Sequence, residues 1–193
     1  MTPFSMVTSR AVSLPLDDID TDQIIPARFL TATTREGMGR HLFSDLRKRE
    51  GFPLNSPDAR GAAILIAGGN FGCGSSREHA SWALADFGFR AVVSSSFADI
   101  FRSNAMKNGI LPVAVDAATL GTLHSLVVNA PDTQMTIDLE RQLMSWPGGS
   151  REFAIDAFAR QCLLHGVDEL GYLLRHEGSI TMFEAHRSRG GAS

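Results

Sequence analysis

The clearest hydrophobic pattern in the chain surrounds a glycine-rich segment at residues 68–74. Before it, residues 62–67 form a short apolar run, which is typical of a buried β-strand. After it, apolar residues recur at i, i+3, i+4 and i+7 from Ala80 to Phe87, the spacing of one helix face. The pattern therefore predicts a strand, a tight loop and an amphipathic helix in direct succession.

Toward the carboxyl terminus, short apolar runs typical of strands alternate with segments whose apolar residues have helical spacing. Strands are predicted at residues 90–93 and 110–115, and Pro112 makes the second one short or places it at a sheet edge. Alternating apolar residues over 135–144 predict a β-hairpin. The further predicted helices cover residues 97–109, 117–128, 155–166 and 168–187.

Strands that alternate with helices through short links indicate an α/β fold whose sheet is at least partly parallel. The 193 residues suit one large globular domain or two small ones. Residues 188–193 are predicted to form a disordered tail.

Composition narrows the class of partner and the cellular setting. The net charge of −3 and a pI near 6.0 argue against nucleic acid or an anionic membrane as partner. No stretch approaches the roughly 18 apolar residues of a membrane span, and residues 1–10 lack the apolar core of a signal peptide. A cytoplasmic protein is therefore expected.

Two cysteines, Cys73 and Cys162, are too few for a disulfide framework. An iron–sulfur cluster takes three or four thiolates, so this chain cannot hold one by itself. Any such metal would have to come from another chain, and no metal ligand is predicted here.

The glycine segment and the helix after it have the features of an anion site. Ser75 and Glu78 match the S-x-x-E capping box, which would place free backbone N–H groups and a positive dipole end beside them. Ser76 adds a hydroxyl, and Arg77 could bind a carboxylate through two parallel hydrogen bonds. The alternative is that Ser75 is only a helix cap and Arg77 a surface ion-pair partner.

Several familiar sites are excluded around this segment. The chain has no phosphate-binding G-x-x-x-x-G-K-[ST], no G-x-S-x-G elbow and no H-E-x-x-H zinc pair. Cys73 is interpreted as a small loop residue, since no adjacent base is identifiable. His79 is interpreted as structural.

An acidic segment at residues 16–30 is the second candidate region. It holds four aspartates in six residues, in a stretch too irregular for a clean helix or strand, and it lacks the EF-hand spacing for calcium. The simpler interpretation is a solvated turn with Asx hydrogen bonds. Residues 33–41, polar and with two glycines, are predicted to be a mobile loop.

Three motifs together resemble a known family. Residues 69–80, which read Gly-Asn-Phe-Gly-Cys-Gly-Ser-Ser-Arg-Glu-His-Ala, look like the signature of the aconitase superfamily's swivelling domain. Residues 20–26 and 96–101 resemble its two other landmarks. Residues 34–43 and 153–156 are similar to the bacterial small subunits of 3-isopropylmalate dehydratase. The resemblance runs from about residue 4 to residue 187.

The resemblance implies one swivelling β/β/α domain over residues 1–187, with a mixed, partly parallel sheet flanked by helices. It implies a large-subunit partner that carries a [4Fe–4S] cluster on three cysteines. The implied reaction isomerises 2-isopropylmalate to 3-isopropylmalate through dehydration and rehydration, a step of leucine biosynthesis.

By motif match, the resemblance implies roles for individual residues. Ser75 would be the catalytic base, acting as an alkoxide, and Ser76 and Arg77 would bind substrate carboxylates. Asp22 would orient a catalytic histidine of the other component. Arg35, in the loop expected to close over substrate, would be a further carboxylate contact.

Substrate choice is expected to depend on the segment after Ile-Ile-Pro. Leu30 lies in the mostly apolar residues 29–32, which fit an isopropyl group better than the extra carboxylate of a homoaconitase substrate. Two alternatives stay open. One is the small subunit of a related hydro-lyase acting on citramalate or homocitrate-type acids, and the other is a non-catalytic anion-binding module.

Overall fold

The computed structural model describes residues 1–168 and 170–172 of the chain. These residues contain eight β-strands and five α-helices. In chain order they are β1 (Met6–Ser9), β2 (Ala11–Leu14), α1 (Thr21–Ile24), β3 (Ile64–Ala67), α2 (Glu78–Phe87), β4 (Ala91–Ser94), α3 (Asp99–Lys107), β5 (Leu111–Ala114), α4 (Ala117–Asn129), β6 (Met135–Asp138), β7 (Leu143–Trp146), β8 (Gly149–Glu152) and α5 (Ala157–His165).

A four-stranded parallel sheet in the order β2-β3-β4-β5 forms the centre of the fold. All four residues of β3 are 0% exposed, which fits the continuous apolar run that a strand covered on both faces requires. Pro112 lies in the edge strand β5, so its predicted edge position is confirmed.

Side chains of this sheet point into two apolar clusters. Leu65 and Val92 lie in the first cluster, together with α2, α3 and the chain between α1 and β3. Ile64 and Ile66 lie in the second cluster, together with α4, α5 and the antiparallel sheet. The parallel sheet is therefore the middle layer of the molecule.

The second sheet is antiparallel, in the order β1-β6-β7-β8. Met135 and Ile137 of β6 are 0% exposed, while the alternate residues Thr136 and Asp138 are half-buried, and β6 pairs with β7. The predicted hairpin and the α/β class are thus confirmed. The parallel and antiparallel strands lie in two separate sheets, and β1, β2 and β8 were not predicted.

The predicted helices after the glycine segment and at residues 97–109, 117–128 and 155–166 are confirmed with shifted boundaries. Helix α2 ends at Gly88, whose φ of 115° lies in the left-handed region that glycine favours. Helix α3 begins at Asp99 rather than at Phe97, because the Ala98 N–H donates to the Phe71 carbonyl (3.1 Å) and keeps that segment extended.

Most of the last predicted elements lie outside the described residues. Within the predicted helix at 168–187, residues 170–172 are helical. Residues 173–187 and the predicted tail at 188–193 are not described. Among the helices of the described part, none combines the length and apolar character needed to cross a bilayer.

Burial lowers the pKa of His124, on α4, from its ordinary value, against a smaller opposing effect of Asp17. Its Nδ1 lies 2.8 Å from the Ser13 hydroxyl. The folded chain therefore binds the His124 proton less readily than the unfolded chain, whose histidine titrates near pH 6.5. This contribution to stability is complete above pH 6.5 and falls as the pH drops below it.

We expect the free energy of unfolding of the wild type to decrease between pH 7 and pH 5. Denaturant titrations should show a smaller decrease for His124→Gln, which cannot take up that proton. An equal decrease in both proteins would contradict this assignment to His124.

Candidate active site

The three motif segments, residues 20–26, 69–80 and 96–101, meet at the carboxyl-terminal ends of the parallel strands. Strands β2, β3 and β4 run in the same direction, so the segments that follow them begin at the same edge. The Gly68 N–H donates to the Leu16 carbonyl (3.1 Å), and the Gly72 N–H donates to the Ile19 carbonyl (2.8 Å). On its other side, the Phe71 N–H donates to the carbonyl of Ser96, in the third segment (3.1 Å). The glycine segment therefore lies between the other two.

Two glycines are required by this close packing. A Cβ on Gly68 would overlap the Leu16 carbonyl oxygen. Gly72 has φ of 78°, and a Cβ there would lie 2.5 Å from the Cβ of Phe101 and closer to its ring. The loop can therefore follow this path only with glycine at both positions.

The acidic segment is more regular than predicted. Residues Thr21–Ile24 form the short helix α1, and Asp20 and Gln23 make a reciprocal capping box, with bonds of 2.7 and 2.9 Å. The expectation that this stretch is too irregular for a helix is therefore wrong. The missed signal is Asp20 followed three residues later by Gln23.

Three of the four aspartates accept hydrogen bonds from backbone or side-chain amides. Asp20 caps α1, Asp17 Oδ1 accepts from the Gly69 N–H (2.6 Å), and Asp18 Oδ1 accepts from Asn70 Nδ2 (2.8 Å). These contacts fit the interpretation as a hydrogen-bonded turn, and they tie the turn to the glycine segment.

The predicted capping box at Ser75 and Glu78 is wrong. Helix α2 begins at Glu78, and its N-cap is Arg77, which makes no side-chain cap hydrogen bond. Glu78 Oε1 instead accepts from Trp82 Nε1 (3.2 Å) and Asn108 Nδ2 (3.4 Å), so its carboxylate points away from the backbone of Ser75. Arg77 consequently precedes the helix, whereas the sequence placed it in the first turn.

Ser75 therefore lies two residues before the N-cap, with its side chain free of capping. Its carbonyl accepts from the Thr21 hydroxyl (2.8 Å), which fixes the backbone. Ser75 and Ser76 are exposed, and across residues 1–168 and 170–172 neither hydroxyl has a hydrogen-bond partner. The backbone of Ser75 is thus held in place, while its hydroxyl is free to bind another group.

Arg77 and Asp22 form a bidentate ion pair. Arg77 Nη2 donates to Asp22 Oδ2 (2.7 Å), and Nη1 donates to Oδ1. The arginine side chain is 14% exposed and the aspartate 56%. The structure thus brings two predicted site residues together, and it makes Arg77 an ion-pair partner within this chain.

Arg35 lies beside the first turn of α2. Its Nη2 is 3.6 Å from Glu78 Oε1, and its guanidinium carbon is 5.4 Å from the centre of the Trp82 ring. Farther along the same loop, the Gly39 N–H donates to Asp86 Oδ2 (2.7 Å), which anchors the loop to the far end of α2. Arg35 is therefore held on the helix that follows Ser75–Arg77.

Leu30 is half-buried and packs against the first apolar cluster. Two residues later in the same segment, the Ala32 carbonyl lies 3.0 Å from His79 Nε2. His79 also packs on the Trp82 ring, with 4.4 Å between ring centres. These contacts agree with the structural interpretation of His79.

Burial, Asp20 and Asp18 together raise the pKa of the Cys73 thiol. The thiol is thus protonated near neutral pH, which agrees with its interpretation as a loop residue. Residues 1–168 and 170–172 contain no group of three or more His, Cys, Asp or Glu side chains placed to hold a metal.

Sequence reasoning missed Thr21 and Trp82. Thr21 donates through both its N–H and its hydroxyl to the glycine segment, at 2.9 Å to Cys73 and 2.8 Å to Ser75. Trp82 contacts Arg35, Glu78 and His79. The role of Thr21 depends on a segment distant in the sequence, so no local pattern marks it. For Trp82, the i+3 and i+4 spacing from His79 and Glu78 was an available helical signal, whereas its contact with Arg35 was not.

Comparison with known proteins assigns this arrangement to a family. The model of the aconitase C-terminal domain matches residues 1–118. The chain is 52% identical over 190 residues to the 3-isopropylmalate dehydratase small subunit of Herpetosiphon aurantiacus, with 98% of this chain and 97% of that protein covered. It is 53% identical over 192 residues to the Chloroflexus aurantiacus small subunit, with 96% of each covered.

A solved structure agrees with these similarities. The crystal structure of a 3-isopropylmalate dehydratase from Methanocaldococcus jannaschii matches with a TM-score of 0.70 and 28% identity, covering 92% of this chain and 98% of that one. The resemblance read from the three motifs is confirmed. The chain belongs to the 3-isopropylmalate dehydratase small-subunit family, within the group that shares the aconitase C-terminal domain.

Proposed function

We propose that this chain is the small subunit of a 3-isopropylmalate dehydratase. With a separate large subunit, it interconverts 2-isopropylmalate and 3-isopropylmalate in leucine biosynthesis. The observation that carries the proposal is the convergence of Ser75, Arg77 and Asp22 at one sheet edge. The similarity to curated small subunits over nearly the full length supports it.

The proposed reaction removes water from two neighbouring carbons and then adds it back in the opposite orientation. One carbon loses a proton and its neighbour loses a hydroxyl, which together leave as water, and each step needs groups that hold the substrate carboxylates. We assign the proton transfer to Ser75, because its hydroxyl is exposed and unpartnered among the described residues.

A serine is a strong base only as an alkoxide, which needs hydrogen-bond donors around it. The start of α2 supplies such donors. In the described part of the chain, the backbone N–H groups of residues 76–78 donate to no acceptor, as is usual before the first helical turn. These groups and the helix dipole favour negative charge at this position.

Ser76, Arg77 and Arg35 are the proposed substrate ligands of this chain. Arg77 uses two of its five N–H donors on Asp22, so three donors are left for a substrate carboxylate. Arg35 lies over the ring of Trp82, a residue of α2, and adds a second positive charge. Leu30 and its apolar neighbours belong to the segment proposed to contact the isopropyl group.

The large subunit is the proposed source of the metal centre, a [4Fe–4S] cluster. Its docking surface on this chain would surround the site. Two large apolar side chains are exposed there, since Leu16 follows β2 and is 38% exposed, and Ile100 lies in the first turn of α3 and is 53% exposed.

We place the complex in the cytoplasm, and the chain's net charge of −3 gives no basis for nucleic acid binding.

A substrate panel on the reconstituted complex tests this function. We expect turnover of isopropylmalate to exceed that of citramalate and homocitrate-type acids by about tenfold or more, because apolar pockets discriminate by that order. Preference for another acid would assign the chain to a related hydro-lyase. Tight carboxylate binding by the isolated chain, with no activity in the complex, would favour a non-catalytic module.

A further inference from the structure

The resemblance gives Asp22 and Arg77 separate partners, a histidine of the large subunit and a substrate carboxylate. In the structure they bind each other through two hydrogen bonds. Each Asp22 oxygen accepts one of these bonds, so Asp22 has a partner within this chain that the motif match does not give it.

The position of Asp22 is set by the backbone around it. The capping box of Asp20 and Gln23 closes the one turn of α1. Thr21 then ties that turn to the glycine segment through its N–H to the Cys73 carbonyl (2.9 Å) and its hydroxyl to the Ser75 carbonyl (2.8 Å). Asp22, the next residue, is thereby brought opposite Arg77.

Burial shows which member of the pair depends on the other. The Arg77 side chain is 14% exposed, whereas the Asp22 side chain is 56% exposed. A cation that is mostly removed from water needs a counter-charge, while an exposed carboxylate is well solvated without one. Asp22 is therefore more important to Arg77 than Arg77 is to Asp22.

The contact also orients the guanidinium. Both terminal nitrogens point at Asp22, which fixes the plane of the group and leaves Nε–H and the outer N–H bonds for a second anion. Arg77 is two residues after Ser75, so a carboxylate held on those donors would be bound by the segment that carries the Ser75 hydroxyl.

We propose that Asp22 is a positioning residue, which acts through Arg77 by holding its guanidinium in the orientation that binds substrate. This inference rests on the proposed function for its substrate. It assigns Asp22 a part in substrate binding.

A double-mutant cycle on the reconstituted complex tests the assignment. Asp22→Asn places an amide N–H2 against one guanidinium nitrogen, so we expect KM for isopropylmalate to rise about tenfold, with the pH profile of kcat unchanged. In the Arg77→Lys background, the same change should alter KM by less than about twofold, because lysine has no fork to orient.

Asp45→Asn is the matched control. It breaks another bidentate pair, formed by Arg28 and Asp45 with two contacts of 2.8 Å, and KM should stay within about twofold of the wild type. Independent effects of the Asp22 and Arg77 changes on KM, or a shifted kcat pH profile in Asp22→Asn, would overturn the proposal.

Nitrogen NMR of the isolated chain gives a readout that does not need activity. Bidentate pairing should slow rotation of the Arg77 guanidinium and give separate Nη signals, which Asp22→Asn should merge. Unchanged Arg77 signals would overturn the inference about Asp22. An inactive wild-type complex with the expected signals would instead refute the proposed function alone.

Discussion

Replacing Ser75 with alanine is expected to lower kcat of the reconstituted complex by about 10²- to 10⁴-fold, the usual contribution of a positioned base. The hydroxyl has no hydrogen-bond partner among the described residues, and the contact that holds this residue is made by its carbonyl. The fold should therefore survive, and KM should change little. Steady-state kinetics and a thermal melt measure both effects.

Ser125→Ala is the matched control for this change. Ser125 lies on α4 and is exposed, and its hydroxyl donates to the Gly121 carbonyl (2.9 Å). We expect turnover close to that of the wild type. If Ser75→Ala also kept its turnover, the serine would have no part in proton transfer.

Replacing Gly72 with alanine is expected to have the largest effect on stability. The positive φ of 78° costs about 1 kcal/mol for a residue with a Cβ. The new methyl group would also overlap Phe101, which is 2% exposed and packs edge-on against Phe71 with 5.1 Å between ring centres. Overpacking adds about 1–3 kcal/mol, for a total loss of about 2–4 kcal/mol.

Gly61→Ala separates these two terms. Gly61 has nearly the same backbone angle, with φ of 75°, but nothing lies within 4 Å of its added Cβ. Denaturant titration should therefore show a loss of about 1 kcal/mol. Equal losses for Gly61→Ala and Gly72→Ala would show that Phe101 does not restrict the glycine loop.

Local patterns predicted much of the fold. The stripe of α2 and the alternation of β6 reflect burial that repeats with the period of the element, and the apolar run of β3 reflects a strand buried on both faces. The short strands β1 and β8 have no such repeat. Their pairing with β6 and β7 is decided by distant segments, which a single pass along the chain cannot show.

The candidate residues Ser75, Arg77 and Asp22 lie close together in the structure, but the contacts among them were not predicted. Ser75 and Glu78 have the spacing of a capping box, yet Trp82 and Asn108 both bond to Glu78 and draw it away from the helix start. The pairing of Asp22 with Arg77 joins residues 55 positions apart, and it depends on Thr21 binding the glycine segment. Tertiary contacts therefore decided both outcomes.

This chain is proposed to supply the proton-transfer and carboxylate-binding residues of an active site that a large subunit completes. The most direct test is turnover of 2-isopropylmalate, measured anaerobically for this chain alone, for a cluster-bearing large subunit alone, and for their mixture. We predict that only the mixture forms 3-isopropylmalate. A properly reconstituted mixture without turnover, or a large subunit that works equally well alone, would contradict this division of the active site.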